Sequence, residues 1–240
     1  MTVKDKLFEQ PVSGDFQFND RVAEVFDDML ARSVPCYAMV IDMTAGILSS
    51  HLQPGDLVYD LGCSTGVTLI ELARRFGGLN LSLIGIDNSP AMINKARLKA
   101  EMYSKTEVLR FIEDDITTTV LQPAGAIILN YTMQFLPPDR RHDFLKKAYQ
   151  ALKPGGVLVM SEKVISHDPV INCGFLECYL EFKRQQGYSE IEISRKREAL
   201  ENVLVPFSIE ENRQLLTQAG FSCLETFFQW FNFVSFVAVK

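Results

Sequence analysis

Residues 56–66 read Asp56-Leu57-Val58-Tyr59-Asp60-Leu61-Gly62-Cys63-Ser64-Thr65-Gly66. A short apolar run ends in a pair of glycines, and helix-forming residues follow at once. This predicts a strand over Leu57–Leu61, a tight turn, and a helix over Thr68–Phe76. The same rhythm continues outward. Leu81–Ile86 reads as a second strand ending at Asp87, and Pro90–Tyr103 as a second helix. Val108–Ile112 is a third strand, running into Glu113-Asp114-Asp115, and Ala126–Leu129 is a fourth. Asp139–Leu152 reads as a helix, Lys153-Pro154-Gly155-Gly156 as a turn, and Val157–Met160 as a fifth strand. Short apolar strands alternating with helices predict an α/β fold, a parallel sheet covered on both faces. Two β-rich runs, near Ser222–Phe228 and Phe231–Val239, are close enough to pair as an antiparallel hairpin at one edge. The expected sheet is then mostly parallel and seven-stranded.

The flanks elaborate this core. Phe8, Pro11, Gly14, Phe16 and Phe18 suggest an N-terminal arm lying over an apolar surface. Val22, Val25, Phe26, Met29 and Leu30 recur at helical spacing, so a helix starts near Asp20 and stops at Pro35. A second covers Tyr37 to Leu52, closed by Pro54-Gly55. The span from Glu162 to Ser208 is too long for a crossover loop and reads as a helical insertion. Ser208-Ile209-Glu210-Glu211 is a capping box that opens a helix ending at Gly220. The chain of 240 residues thus reads as one domain, 1–240, with a helical arm or lid over 1–55 and an insertion over 164–207.

Composition narrows the function classes. The chain is 47% hydrophobic and 22% charged, with a net charge of −6, so global disorder is excluded. The acidic balance argues against tracking a phosphate backbone, and no direct nucleic-acid binding is expected. No apolar run is long enough to span a membrane, and the start, Met-Thr-Val-Lys-Asp-Lys, has no signal core. Cys36, Cys63, Cys173, Cys178 and Cys223 are odd in number and contain no C-x-x-C, which fits a reduced, cytoplasmic protein. His51, His142 and His167 are scattered without metal-ligand spacing, so no metal is expected and all three read as surface or structural.

The candidate ligand residues fall at strand ends. Gly62 and Gly66 let the backbone approach a ligand, and the helix beyond offers free N–H groups. Their G-x-x-x-G spacing lacks the third glycine of a pyrophosphate turn and suits a ligand such as S-adenosylmethionine. Asp87, 21 residues beyond Gly66, can accept from both ribose hydroxyls; its other reading is a helix cap, and the upstream glycine turn favours the ribose. Asp115 can accept from an adenine amino group while Ile116 packs on the ring, or it is a solvated loop acid; both readings stand. Asn130 ends the fourth strand, at the carboxyl edge where open α/β sheets bind ligands. Together these features resemble the Rossmann-like fold of class I S-adenosylmethionine-dependent methyltransferases, over residues 56 to 240.

A longer series is more specific. It runs Phe26-Asp27-Asp28-Met29, Arg32-Ser33-Val34-Pro35-Cys36-Tyr37, Tyr59-Asp60-Leu61-Gly62-Cys63-Ser64 and Gly85-Ile86-Asp87-Asn88-Ser89-Pro90-Ala91-Met92. It continues through Asn130-Tyr131-Thr132-Met133-Gln134-Phe135-Leu136, Leu158-Val159-Met160-Ser161-Glu162-Lys163, Phe182-Lys183-Arg184 and Gly187-Tyr188-Ser189-Glu190. It closes with Lys196-Arg197, Leu200-Glu201-Asn202-Val203 and Trp230-Phe231-Asn232-Phe233. The series closely resembles the bacterial carboxy-S-adenosyl-L-methionine synthase family over nearly the whole chain. That resemblance implies conversion of S-adenosylmethionine and prephenate into carboxy-S-adenosylmethionine and phenylpyruvate. It also implies a homodimer, and a functional link to a tRNA uridine carboxymethyltransferase that consumes the product at the wobble position. The family's ligand positions fall here on Tyr37, Gly62, Cys63 and Ser64, then on Asp87 and Asn88, Asp115 and Ile116, and Asn130 and Arg197. Tyr37 and Arg197 are the implied catalytic pair, Arg197 receiving the new carboxylate from its own or a partner protomer. Without the family, Arg195-Lys196-Arg197 reads as a solvated helical face. Three positions depart from the family pattern: Cys36 stands where Gly is expected, Asp27 where Pro is expected, and Thr65 at a variable place.

Two other readings compete. One is a conventional methyltransferase acting on a small molecule or RNA, and the other a non-catalytic module that binds a nucleoside. Fold alone separates none of these.

Overall fold

The computed structural model describes residues 3–10 and 14–240, so Pro11 of the expected arm lies outside the described residues. The chain opens with a single 3-10 turn at Leu7–Glu9, followed by helices α1 (Asp20–Ser33) and α2 (Tyr37–Ser49). The sheet-building section is β1 (Leu57–Leu61), α3 (Val67–Arg75), β2 (Ser82–Asp87), α4 (Pro90–Met102), β3 (Leu109–Glu113), β4 (Ala124–Asn130), α5 (Pro138–Ala151) and β5 (Leu152–Ile165). The insertion supplies α6 (Pro169–Gln185) and α7 (Glu190–Leu200). Then come β6 (Phe207–Ser208), α8 (Ile209–Ala219), β7 (Cys223–Trp230) and β8 (Phe233–Val239).

The strand order is β3-β2-β1-β4-β5-β8-β7. All neighbours from β3 to β5 pair in parallel, and β8 is antiparallel to both β5 and β7. The expected parallel sheet with a C-terminal hairpin is therefore present, with the second hairpin strand inside and the first at the edge. Strand residues alternate between two cores. Val58, Ala126, Ile128 and Val159 pack with Leu48, Leu69 and Ile93 from α2, α3 and α4. Leu61, Ile127, Leu129 and Met160 pack with Phe144, Leu145 and Leu216 from α5 and α8. Each of these buried Val, Leu, Ile, Phe and Met side chains contributes about 1.5–3 kcal/mol by leaving water.

The structure differs from the sequence reading at β5. The strand begins at Leu152 and runs to Ile165, and Lys153-Pro154-Gly155-Gly156 is a bulge within it, not a turn before it. Ala124 faces Leu152 and Ala126 faces Val157, so the extra residues loop out between them. Gly155 adopts φ +77° and donates its N–H to the Lys240 carbonyl. The sheet also gains a short eighth strand, because β6 pairs in parallel with Val164–Ile165 at the far end of β5. Two residues carry no periodicity, so sequence could not announce them.

Capping chemistry sets the helix ends. Ser208 and Glu211 form the expected reciprocal box on α8. Ser189 and Glu192 form a second one on α7. Among the described residues, no helix is long and apolar enough to cross a membrane.

The arm is tied down by buried polar groups. The Asp5 carboxylate accepts from the Tyr188 hydroxyl at 2.6 Å, and its N–H donates to Asp28 at 2.7 Å. Arg32 donates to the Asp5 and Gln186 carbonyls and lies 4.0 Å over the Tyr188 ring. Phe16 and Phe18 stack edge-on, and Phe18 meets Phe135. The arm thereby closes over α1, α7 and the loop after β4.

Candidate functional site

At the end of β1 the chain must turn sharply and approach its neighbours closely. Gly62 has φ +82° and Gly66 φ +76°. A Cβ on Gly62 would lie 2.6 Å from Thr132, and one on Gly66 2.5 Å from Phe111. Between them Ser64 also takes a left-handed backbone, φ +48°. It is held there by its N–H, which donates to Asp87 at 2.9 Å. The other Asp87 oxygen accepts from Ser89 N–H, also at 2.9 Å. Asp87 is therefore the clamp between the glycine turn and the start of α4. The helix cap itself is Ser89, whose side chain accepts from Met92 N–H. Burial raises the Asp87 carboxyl above the ordinary carboxylate value, opposed by those N–H groups.

A cavity of about 770 Å³ opens above these strand ends. Each sequence-predicted ligand residue lines it: Tyr37 on α2, the Gly62–Ser64 turn, Asp87 and Asn88 after β2, Asp115 and Ile116 after β3, Asn130 on β4 and Arg197 on α7. Asp115 is exposed, and Thr117 donates to it from both backbone and side chain, which holds its carboxyl below the usual range. Ile116 beside it is buried, 8% exposed. Asn130 donates to Thr68 at 3.2 Å, while its buried carbonyl oxygen has no partner. Arg197 stands exposed at the cavity rim.

Several lining residues were not singled out from sequence. Asp60, inside β1, leaves one buried carboxylate oxygen unpartnered. Burial and the neighbouring Asp87 carboxylate push Asp60 up to about 7. Tyr131 follows β4 with φ +59° and a buried hydroxyl without a partner. Its ring lies 6.3 Å from that of Tyr37 and 6.1 Å from that of Phe233. Lys163 on β5 and Tyr179 and Lys183 on α6 line the far end. Asp60 adjoins the glycine turn and could have been flagged by position. Tyr131, Lys163 and Lys183 fall within the residue series shared with the family but were given no ligand role there, and Tyr179 lies outside that series. None of the histidines lines the cavity. All five cysteines are free.

What the arrangement offers is a slot bounded by carboxylates and unpaired acceptors at one end and by cations at the other. Orphaned buried acceptors call for a donor, and a ligand carrying hydroxyls and an ammonium supplies several. Residues 58–156 match a methyltransferase domain model. A carboxy-S-adenosyl-L-methionine synthase from Desulfotalea psychrophila is 54% identical over 99% of this chain and 97% of its own. The Escherichia coli enzyme of the same name is 44% identical over the whole of this chain and 98% of its own. The chain belongs to the carboxy-S-adenosyl-L-methionine synthase family. Among solved structures, human N-acetylserotonin methyltransferase in complex with SAM matches with a TM-score of 0.62 at 17% identity. This chain covers 55% of that longer one, and the likeness concerns the fold.

As a member of the carboxy-S-adenosyl-L-methionine synthase family, the chain is an enzyme, and its departures from the family pattern acquire a geometry. Asp27 and Thr65 meet: the Thr65 hydroxyl donates to Asp27 at 2.6 Å, and Asp27 also pairs with Lys99 at 2.5 Å. These contacts tie α1 to the glycine turn and to α4. Cys36 sits just before α2 with φ +57°, a left-handed conformation that glycine adopts without strain. Tyr37 follows it, half-buried, and burial, Asp60 and Asp27 raise its phenol above the ordinary value.

Proposed function

We propose that the chain converts S-adenosyl-L-methionine and prephenate into carboxy-S-adenosyl-L-methionine and phenylpyruvate. The observation that carries this reading is one continuous cavity. It gathers all the nucleoside-facing positions and then continues under the insertion, with room for a second small molecule beside the first. In this reading Asp87 takes the ribose hydroxyls and Asp115 with Ile116 the adenine. The unpaired oxygens of Asp60 and Asn130 face the ligand's ammonium. Tyr37 lies on the wall beside Asp60, and Arg197 at the rim receives the new carboxylate.

The chemistry needs no strong protein base. Prephenate becomes aromatic by losing carbon dioxide and hydroxide. The hydroxide takes a proton from the sulfonium methyl, leaving an ylide and water. The ylide carbon then bonds to carbon dioxide and becomes a carboxymethyl group. What the protein supplies is a dry enclosure that keeps both partners in contact. The arm, through Phe16 and Phe18, and the insertion, through Tyr179, cover such an enclosure.

The same reading makes the product a carboxymethyl donor for a partner enzyme that modifies wobble uridine in tRNA, and places both in the cytoplasm. It also makes the protein a homodimer.

Carbon label tests the reaction. Prephenate labelled in its departing carboxylate should pass label to the new carboxyl group, with bicarbonate competing poorly. Efficient labelling from bicarbonate would reject direct trapping. Methylation of bulk tRNA without prephenate would replace the reading with the conventional methyltransferase.

A further inference from the structure

The sheet order says which end of the cavity reacts. Asp115 follows β3, Asp87 ends β2 and Gly62 follows β1, so a nucleoside held by these groups lies across β3-β2-β1. The rest of that ligand must then extend over β4 and β5. There stand Asn130, the last residue of β4, and Lys163 on β5, beneath Tyr179 and Lys183 of α6.

Lys183 is only 6% exposed. Its ammonium lies 4.6 Å from the centre of the Tyr179 ring, and the Lys163 ammonium lies 5.0 Å from the same ring. Tyr179 is fixed by its hydroxyl, which donates to the Ser33 carbonyl at 3.0 Å. Neither lysine has a carboxylate or hydrogen-bond partner among the described residues, whereas Lys196 nearby donates to Ser33 at 2.8 Å and lies 4.0 Å from Asp5. Buried charges are ordinarily paired, because an unpaired one forfeits its hydration. Two cavity-facing ammoniums sharing one aromatic face and lacking any counter-ion form a site built for an anion from outside.

We infer that Lys163 and Lys183, arranged around the Tyr179 ring, form the anion subsite of the second substrate. They hold the carboxylate which that substrate keeps, while Arg197 serves the carboxyl that is transferred. The assignment rests on the proposed reaction, whose carboxyl donor carries two carboxylates and loses one. It gives α6 a role, since Tyr179 and Lys183 on that helix stand beside Lys163 of β5.

Burial holds Lys183 well below the ordinary lysine value, and Lys196, Lys163 and Arg197 push it the same way. These cations and the Tyr179 ring are what face its ammonium. Binding of an anion should therefore draw a proton onto Lys183. Lys163 is lowered by burial alone.

The test uses Lys183→Met and, on a different element, Lys163→Met, each keeping an apolar stem in place. Both should bind S-adenosylmethionine like the unaltered enzyme. Each should raise the KM for prephenate about 30-fold or more, the loss expected when one side of a buried charge pair is truncated. Calorimetric titration of prephenate into the S-adenosylmethionine-loaded enzyme, in phosphate and in Tris, should show proton uptake that disappears in Lys183→Met. An unchanged prephenate KM in both folded variants overturns the subsite and leaves the reaction standing. Failure of the unaltered enzyme to make carboxy-S-adenosylmethionine from prephenate overturns the reaction and the subsite with it.

Discussion

At the β1–β3 end of the cavity, the lining groups come from consecutive strand ends between Gly62 and Ile116, and hydrogen bonds within and between these adjacent turns place them. Ser64 is held by Asp87, Asp87 by Ser89, and Asp115 by Thr117. At the α6–α7 end, Ser33, Tyr131, Lys163, Tyr179 and Lys183 are brought together from helices and strands far apart in the chain. Their contacts are long-range: Tyr179 to Ser33, Lys196 to Ser33, Tyr188 to Asp5. The first end is acidic and the second cationic. A sheet edge that binds nucleosides can be made from local turns, whereas specificity for a second reactant has to be supplied by an added cover.

Arg197 should separate the ends most sharply. On the proposed reaction, Arg197→Ala removes the cation assigned to the new carboxylate and leaves the nucleoside end in place. Carboxy-S-adenosylmethionine should lose about 1.5–3 kcal/mol of binding and S-adenosylmethionine little. Competition binding of both ligands measures the difference, and equal losses would erase it. An exposed rim position keeps this expectation below that for a closed charge pair.

The opposite pattern is expected of Asp87→Ala. It should weaken both ligands alike, by about 1–3 kcal/mol, because both carry the ribose. Calorimetric titration reads this directly. Unchanged affinity in a folded variant would remove Asp87 from the ribose and leave it a clamp for Ser64 and Ser89 alone.

Acid titration sharpens the comparison further. The Asp60 carboxyl ionises near 3.8 in the unfolded chain and near 7 when folded. The folded ligand-free protein therefore holds an extra proton between these values, and the Asp60 contribution to stability is lost as pH rises through that window. A cationic ligand favours the ionised form, so S-adenosylmethionine affinity should rise by up to about tenfold per unit as pH approaches 7. Asp60→Asn should flatten that rise. A persisting slope would assign the titration to another group.

The smallest effect belongs to Cys36, just before α2. Cys36→Gly relieves a left-handed cysteine at the start of α2, at some cost in chain entropy, and should stabilise the protein by about 0.5 kcal/mol. Denaturant unfolding would register it as a higher midpoint with an unchanged slope. A lower midpoint would mean that the Cys36 side chain contributes packing of its own.

The strands of the parallel core, the glycine turn and the Ser208 cap were legible because each is a local pattern with a local cause. Apolar runs bury themselves on two faces, glycines take positive φ, and a serine accepts from the helix that follows it. The cavity-lining residues of the β1–β3 end were legible for the same reason, since they lie at strand ends that the pattern already locates. The family resemblance added Tyr37 and Arg197, which no spacing would have marked. The bulge inside β5 was misread as a turn because Pro154-Gly155-Gly156 permits either, and the pairing of Gly155 with Lys240 decides it. The meeting of Asp27 with Thr65 and the gathering of Lys163, Tyr179 and Lys183 were decided by tertiary structure alone. Those groups are separated by whole elements in the chain, and only the docking of α1 on the glycine turn and of α6 beside β5 brings them into contact.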